Sequence, residues 1–255
     1  MTKKIVIQTV VLTFCIAWII TGIILFSNQF GYLKFGTPLF YIFYLLGANA
    51  PAIAAFIVLP KNNVITVKKL LKLTFAVKQP VFMYLLVFFF VTIYFCVAAF
   101  TGLFEYESLI YLSLISFPIM ILIGGLEEVG WRFVLNPALE KKLPFAAACT
   151  ITGIIWSIWH IPMFFIEGSV QTSMNFFIFS IGSLGLSFTY AAIYRISKSV
   201  WLCVFIHALN NSIGNSFIMN VERFDTAVIP VSITAVALIL ASIFAVNIFK
   251  KRKYD

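Results

Sequence analysis

Aspartate occurs only twice in this chain, as Asp225 and Asp255. The first falls between apolar runs and the second at the C-terminus, so an intramembrane aspartate pair is excluded as a catalytic device. Histidine also occurs only twice, as His160 and His207, followed by Ile161 and Ala208. The His-Glu-x-x-His string that holds zinc on one helix face is therefore missing. Cys15, Cys96, Cys149 and Cys203 stand singly inside apolar stretches, which argues against a disulfide framework and against a cysteine-rich metal site. Charge is scarce too: 11% of residues are charged, whereas a soluble domain carries about 25%. No internal repeat and no low-complexity tract interrupts the chain.

What fills the space is hydrocarbon. The 255 residues are 62% hydrophobic and 17% aromatic, with a mean hydropathy of +1.04. The expected fold is all-α: a polytopic membrane protein of about eight transmembrane helices around a polar intramembrane cavity, each span near the roughly 20 residues a bilayer needs. The expected spans are 5–26, 38–60, 81–103, 109–135, 144–166, 174–194, 199–219 and 227–249. The whole chain, 1–255, reads as one integral membrane domain. Its first span runs beyond an ordinary signal h-region and lacks a small-residue cleavage pattern, so it is expected to be retained.

The net charge of +9 is not a nucleic-acid signature, because of where it sits. Alternating the spans puts Lys3, Lys4, Lys61, Lys68, Lys69, Lys72, Lys78, Arg132, Lys141, Lys142, Arg195, Lys198, Lys250, Lys251, Arg252 and Lys253 on one side, with Lys34 and Arg223 on the other: 16 against 2. The positive-inside rule then places both termini in the cytoplasm, in a bacterial plasma membrane. Glu105, Glu107, Glu167, Glu222 and Asp225 fall on the opposite side. The bilayer is the expected partner, and nucleic acid is not. Between 61 and 80, lysines alternate with Leu70, Leu71, Leu73 and Phe75, the pattern of an amphipathic helix on the cytoplasmic face or of a solvated loop. Asn49-Ala50-Pro51 predicts a kink inside the second span.

Against this background Glu127 and Glu128 stand out, adjacent carboxylates at the end of the apolar stretch 109–126. Desolvating a carboxylate costs several kcal/mol unless it is paired, and an ionisable residue at membrane depth is a functional-site hypothesis by default. Glu128 and Arg132 lie four apart and can pair, while Glu127 points elsewhere. An ion pair near the membrane interface is the expected role of Glu128 and Arg132. His207 and Asn211, also four apart, share a helix face. Counting from the cytoplasmic span ends at about 1.5 Å per residue puts Glu127, His207 and His160 roughly 14, 12 and 20 Å deep. Convergence is thus permitted.

A carboxylate, two imidazoles and an amide in a wet pocket suit water-dependent acyl transfer: a base for water, a proton donor for the leaving amine, and donors to an oxyanion. Gly182-Ser183-Leu184-Gly185 has its glycines misplaced for a nucleophile elbow and reads as helix packing. Trp131, Trp156, Trp159 and Trp201 read as packing or interfacial anchors. Two other classes stay open: a proton- or cation-coupled transporter, and a non-catalytic immunity or scaffold protein that binds a peptide.

Taken in order, Glu-Glu-x-x-x-Arg at 127–132, an aromatic residue four before His160, and His-x-x-x-Asn at 207–211 resemble the intramembrane CAAX-protease and bacteriocin-processing family, also called CPBP or Abi. The match covers about 118–215, where the core motifs lie. The resemblance implies an eight-span helical fold with a conical cavity opening toward the cytosol or inner leaflet. It implies an endopeptidase acting on a membrane-associated peptide or protein, lipidated or not, with Glu127 and His160 activating water and His207 and Asn211 stabilising the oxyanion. Glu128, Arg132 and Trp156 take supporting places; the family commonly has Phe where Trp156 stands. No cofactor is required by the residues, although two histidines and a glutamate could hold zinc with an open position.

Overall fold

The computed structural model describes residues 2–106, 111–219 and 224–251. Glu107, Glu222, Arg223 and the tail from 252 lie outside the described residues, so the part of the charge argument that rests on them is carried by the remaining lysines and arginines.

Eleven helices follow in order among the described residues: α1 (Lys3–Gln29), α2 (Pro38–Ala48), α3 (Ala50–Lys61), α4 (Val67–Thr74), α5 (Val81–Phe100), α6 (Tyr111–Leu122), α7 (Asn136–Glu140), α8 (Phe145–Trp159), α9 (Phe176–Ser197), α10 (Val200–Gly214) and α11 (Phe224–Lys251). One short antiparallel ribbon joins β1 (Phe104–Tyr106) to β2 (Phe217–Met219), with Glu105 opposite Ile218. Six segments are long and apolar enough to cross a membrane, and the pair α2–α3, bent by 50°, makes a seventh. The eighth expected span is α10, which has only 15 residues. Asp225, expected in a loop, instead sits in the first turn of α11.

The helices run up and down between two ends that side-chain contacts identify. At the basic end, Asn62 Nδ2 meets Gln8 Oε1 at 3.5 Å, Trp201 Nε1 donates to the Tyr84 hydroxyl at 2.8 Å, and Arg195 pairs with Glu140 at 2.6 Å. At the opposite end, the Ser113 and Ser216 hydroxyls meet at 2.7 Å and Ile166 packs with Ile24, Leu33 and Phe40. Helix α4 settles the reading of the lysine-rich segment: Leu70 is fully buried while Lys68, Lys69 and Lys72 are exposed.

Two breaks place the site. The α2–α3 kink falls at Asn49, whose Nδ2 donates to both Leu45 O and Leu122 O at 2.8 Å, tying the bend to the end of α6. The fourth span, expected as one helix, is also broken. After α6 the chain turns at Gly124, makes a 3-10 turn over Gly125–Glu127, and winds through a π-helical stretch, Val129–Leu135, before α7. Such wide turns recur at functional sites. Gly130 lets the kink and the π stretch touch, since a Cβ there would lie 2.6 Å from Pro51 Cβ and 2.8 Å from its carbonyl oxygen. Gly130→Ala is therefore expected to cost about 1–3 kcal/mol by overpacking, measured as a lower melting temperature in detergent. Gly185 plays the same part against Ala235 Cα, which gives the Gly182–Gly185 run its packing role.

Candidate active site

Glu127 and His160 stand at a break and at a helix end, while Trp156 projects from within α8 and His207 and Asn211 from within α10. Pro162 stops α8, because a proline disfavours helix in the residue before it, and so His160 caps the helix at Trp159. Its Nδ1 lies 2.8 Å from Trp156 O. A carbonyl only accepts, so Nδ1 carries the hydrogen and Nε2 is the free nitrogen. Glu127 ends the 3-10 turn, and its Oε2 accepts from Trp156 Nε1 at 2.8 Å and from Trp131 Nε1 at 3.4 Å. Glu128 faces the other way. Its Oε2 lies 2.9 Å from Arg132 Nε as an ion pair rather than an aligned hydrogen bond, and its Oε1 lies 2.8 Å from His207 Nδ1.

The two carboxylates thus have unlike partners. Glu128 is held by a guanidinium and an imidazole, and Glu127 by two neutral indoles. The expected Glu128–Arg132 pair forms and is completely buried within the protein, with side-chain exposures of 0% and 0%. Arg132 is boxed between the Trp156 and Tyr190 rings at 5.8 and 5.7 Å. Arg132 Nη1 also donates to Ser187 Oγ at 3.3 Å.

Trp156 is the centre of the arrangement. Besides bonding Glu127, its ring stands 5.7 Å from His160 and 5.5 Å from His207, edge-on to both. Tyr190 stacks on His207 at 5.2 Å and accepts from Asn210 Nδ2 at 3.0 Å. Asn211 Nδ2 donates to Ile123 O at 3.3 Å, which leaves its second hydrogen available. Glu127, Trp156, His160, His207 and Asn211 all line one cavity of about 150 Å³. Glu128, Arg132 and Trp131 lie behind it.

Gly124 was not singled out by sequence, yet the cavity depends on it. Its φ of +108° suits glycine, and a Cβ there would fall 2.4 Å from Asn211 Nδ2 and 3.0 Å from His207 Nε2. The two nitrogens converge on the space a side chain would take. Gly124→Ala should displace both; on the expectation that they serve an oxyanion, kcat should fall about 10²–10³-fold, and steady-state kinetics beside a thermal melt would separate this from unfolding. Spacing predicts packing anchors at Trp131 and Trp156, and their indole bonds to Glu127 add a role that spacing cannot show. Ser183 also lines the cavity, but among the described residues neither histidine bonds a serine. Among the described residues no three His, Cys, Asp or Glu side chains group at ligating range, so the zinc set that composition allows is not assembled.

A larger cavity of about 750 Å³ adjoins the first and shares Tyr44, Ile123, Gln171, Phe179 and Asn211 with it. It lies at the end opposite the basic loops. The resemblance, joined to the charge rule, placed the opening on the basic side; the described cavity opens the other way.

Residues 106–213 match the family model described as Rce1-like, type II CAAX prenyl endopeptidase. The likeness lies in the core of the chain and takes in less than half of its 255 residues. CAAX prenyl protease 2 of Methanococcus maripaludis is 30% identical to it over 102 residues, which cover 36% of this chain and 37% of that relative. The matched chain thus spans little more than a third of the relative's length. The family match takes in all the paired site residues: Glu127, Glu128, Arg132, Trp156, His160, His207 and Asn211.

Proposed function

We propose that this chain is an intramembrane endopeptidase that hydrolyses a peptide bond of a membrane-associated protein or peptide. The observation that carries the reading is a carboxylate held by neutral indoles in the same small cavity as two imidazoles and a side-chain amide. Glu127 accepts a proton from water as the oxygen adds to the scissile carbonyl carbon. His160, with Nδ1–H fixed on Trp156 O, presents Nε2 to the same water. The negative charge that develops on the carbonyl oxygen is met by the free hydrogen of Asn211 Nδ2 and by His207 Nε2–H. With Nδ1 committed to Glu128, donation from Nε2 needs the imidazolium, and Glu128 supplies its counter-charge. Two carboxylates, one guanidinium and one imidazolium then leave the site neutral. Collapse of the tetrahedral species breaks the C–N bond, and the proton held by Glu127 passes to the leaving amine.

A transporter or a binding scaffold would use the same burial without making product. Purified protein in liposomes, given pooled lipidated and unlipidated peptides and read by mass spectrometry, decides between them. The expected result is cleavage that resists a strong chelator and falls about 10²–10⁴-fold in His160→Ala, the usual worth of a positioned base. A folded wild type that leaves the whole pool intact would overturn the peptidase reading. Cleavage lost to chelator and restored by zinc would overturn the metal-free role of Glu127.

A further inference from the structure

The Glu127 cavity has one sealed end and one open end. Toward the basic loops, Trp131, Arg132, Leu135 and Tyr190 are all buried and close it off. Away from them it runs into the 750 Å³ cavity, which passes the halves of α9 and α11 remote from the basic loops, at Ile178 and Val231. That cavity reaches the surface at Phe35, Tyr41 and Val170, all exposed. Its volume lies within the range of pockets that enclose most of a ligand.

The lining has a definite chemistry. Among the described residues no Lys, Arg, Asp or Glu contributes to it. Phe40, Tyr94 and Phe179 give aromatic walls, with neutral amides between them. One amide is unfinished: Asn210 is 5% exposed, its Nδ2 is held by Tyr190, and its Oδ1 has no hydrogen-bond partner. A buried acceptor left unpaired costs about 1–3 kcal/mol, and a peptide N–H in the cavity would remove that cost. A charged side chain in the same space would meet no counter-ion.

We propose that the substrate enters as an uncharged peptide segment from the face opposite the basic loops, which is the extracytoplasmic face under the charge rule, and passes through the larger cavity to Glu127. This rests on the peptidase reading for its purpose but not for its test. With Cys15→Ala and Cys96→Ala in this chain, and Cys149 and Cys203 left buried, one accessible cysteine is placed by Ser173→Cys in the cavity wall, or by Lys69→Cys on α4. Intact cells and inverted vesicles are then exposed to a membrane-impermeant maleimide. Ser173→Cys should label in intact cells, and Lys69→Cys only in inverted vesicles. Ser173→Cys labelled only in inverted vesicles, or from neither side, overturns the route. An uncharged Phe/Leu/Ser peptide added outside should slow labelling of Ser173→Cys about twofold at a concentration equal to its Kd, while the same peptide with alternate lysines should not. Equal slowing by both overturns the uncharged segment. Labelling needs no turnover, so a chain that labels as expected but cleaves nothing loses the peptidase reading and keeps the route.

Discussion

Glu127→Gln should abolish peptide cleavage while the protein expresses, folds and melts as the wild type does. The substitution exchanges one oxygen for an amide nitrogen and leaves the volume unchanged. Glu127 Oε2 accepts from two indoles, and the glutamine carbonyl oxygen can accept from both in its place. No cation pairs with Glu127 among the described residues, so neutralising it leaves no guanidinium stranded. What disappears is a base that can hold the proton of water, worth about 10²–10⁴ in rate for a positioned group. The measurement is product by mass spectrometry, together with a melting curve in the same detergent. Unchanged cleavage by the variant would remove Glu127 from the mechanism. Lost cleavage with a collapsed melt would make it a structural residue instead.

The second large effect falls on stability. Arg132→Met should lower unfolding free energy by about 3–5 kcal/mol, because it leaves the carboxylate of Glu128 buried without its guanidinium. Replacing both, as Glu128→Leu with Arg132→Met, should recover much of that loss, since well-packed apolar groups often substitute for a buried pair at little cost. The double variant should nonetheless remain inactive, because His207 Nδ1 loses the oxygen that orients it at 2.8 Å. Denaturant titration and cleavage on the wild type, Arg132→Met, Glu128→Leu and the double variant complete the cycle. A double variant as unstable as the single one would mean that the pair stabilises beyond mutual compensation. A fully active double variant would mean that Glu128 does not orient His207.

Much of this was legible because two signals are strong in lipid. Hydrocarbon runs bounded by lysine mark spans, and all eight expected segments correspond to helices or bent pairs, with α10 cut short. Scarcity marks the site: with two histidines and one Glu-Glu pair inside apolar stretches, few constellations were available. The Asn49-Ala50-Pro51 bend was also readable, since proline removes a donor that the helix needs. What could not be read depends on where separate segments meet. The break of the fourth span at Gly124 leaves no periodic trace in a stretch that is apolar on every face, so the complete burial of Glu128 and Arg132 within the protein could not be read. Nothing in the spacing of Trp131 and Trp156 distinguishes an indole that packs from one that donates to a carboxylate. The direction in which the cavity opens depends on which loop ends stand apart, and hydropathy carries no information on that.

The shortness of α10 bears on the electrical profile of the membrane. Fifteen residues rise only about 22 Å, against a hydrocarbon layer of roughly 30 Å. At its end Gly214, and beyond it Asn215 and Phe217, line the larger cavity. Any water standing there carries the outer aqueous potential inward, so that the voltage across the membrane falls over the thinner barrier that remains. Under the proposed mechanism and the charge-rule orientation, the proton taken up by Glu127 would lie near the edge of that drop rather than in its middle, and its transfer would be largely uncoupled from the membrane potential.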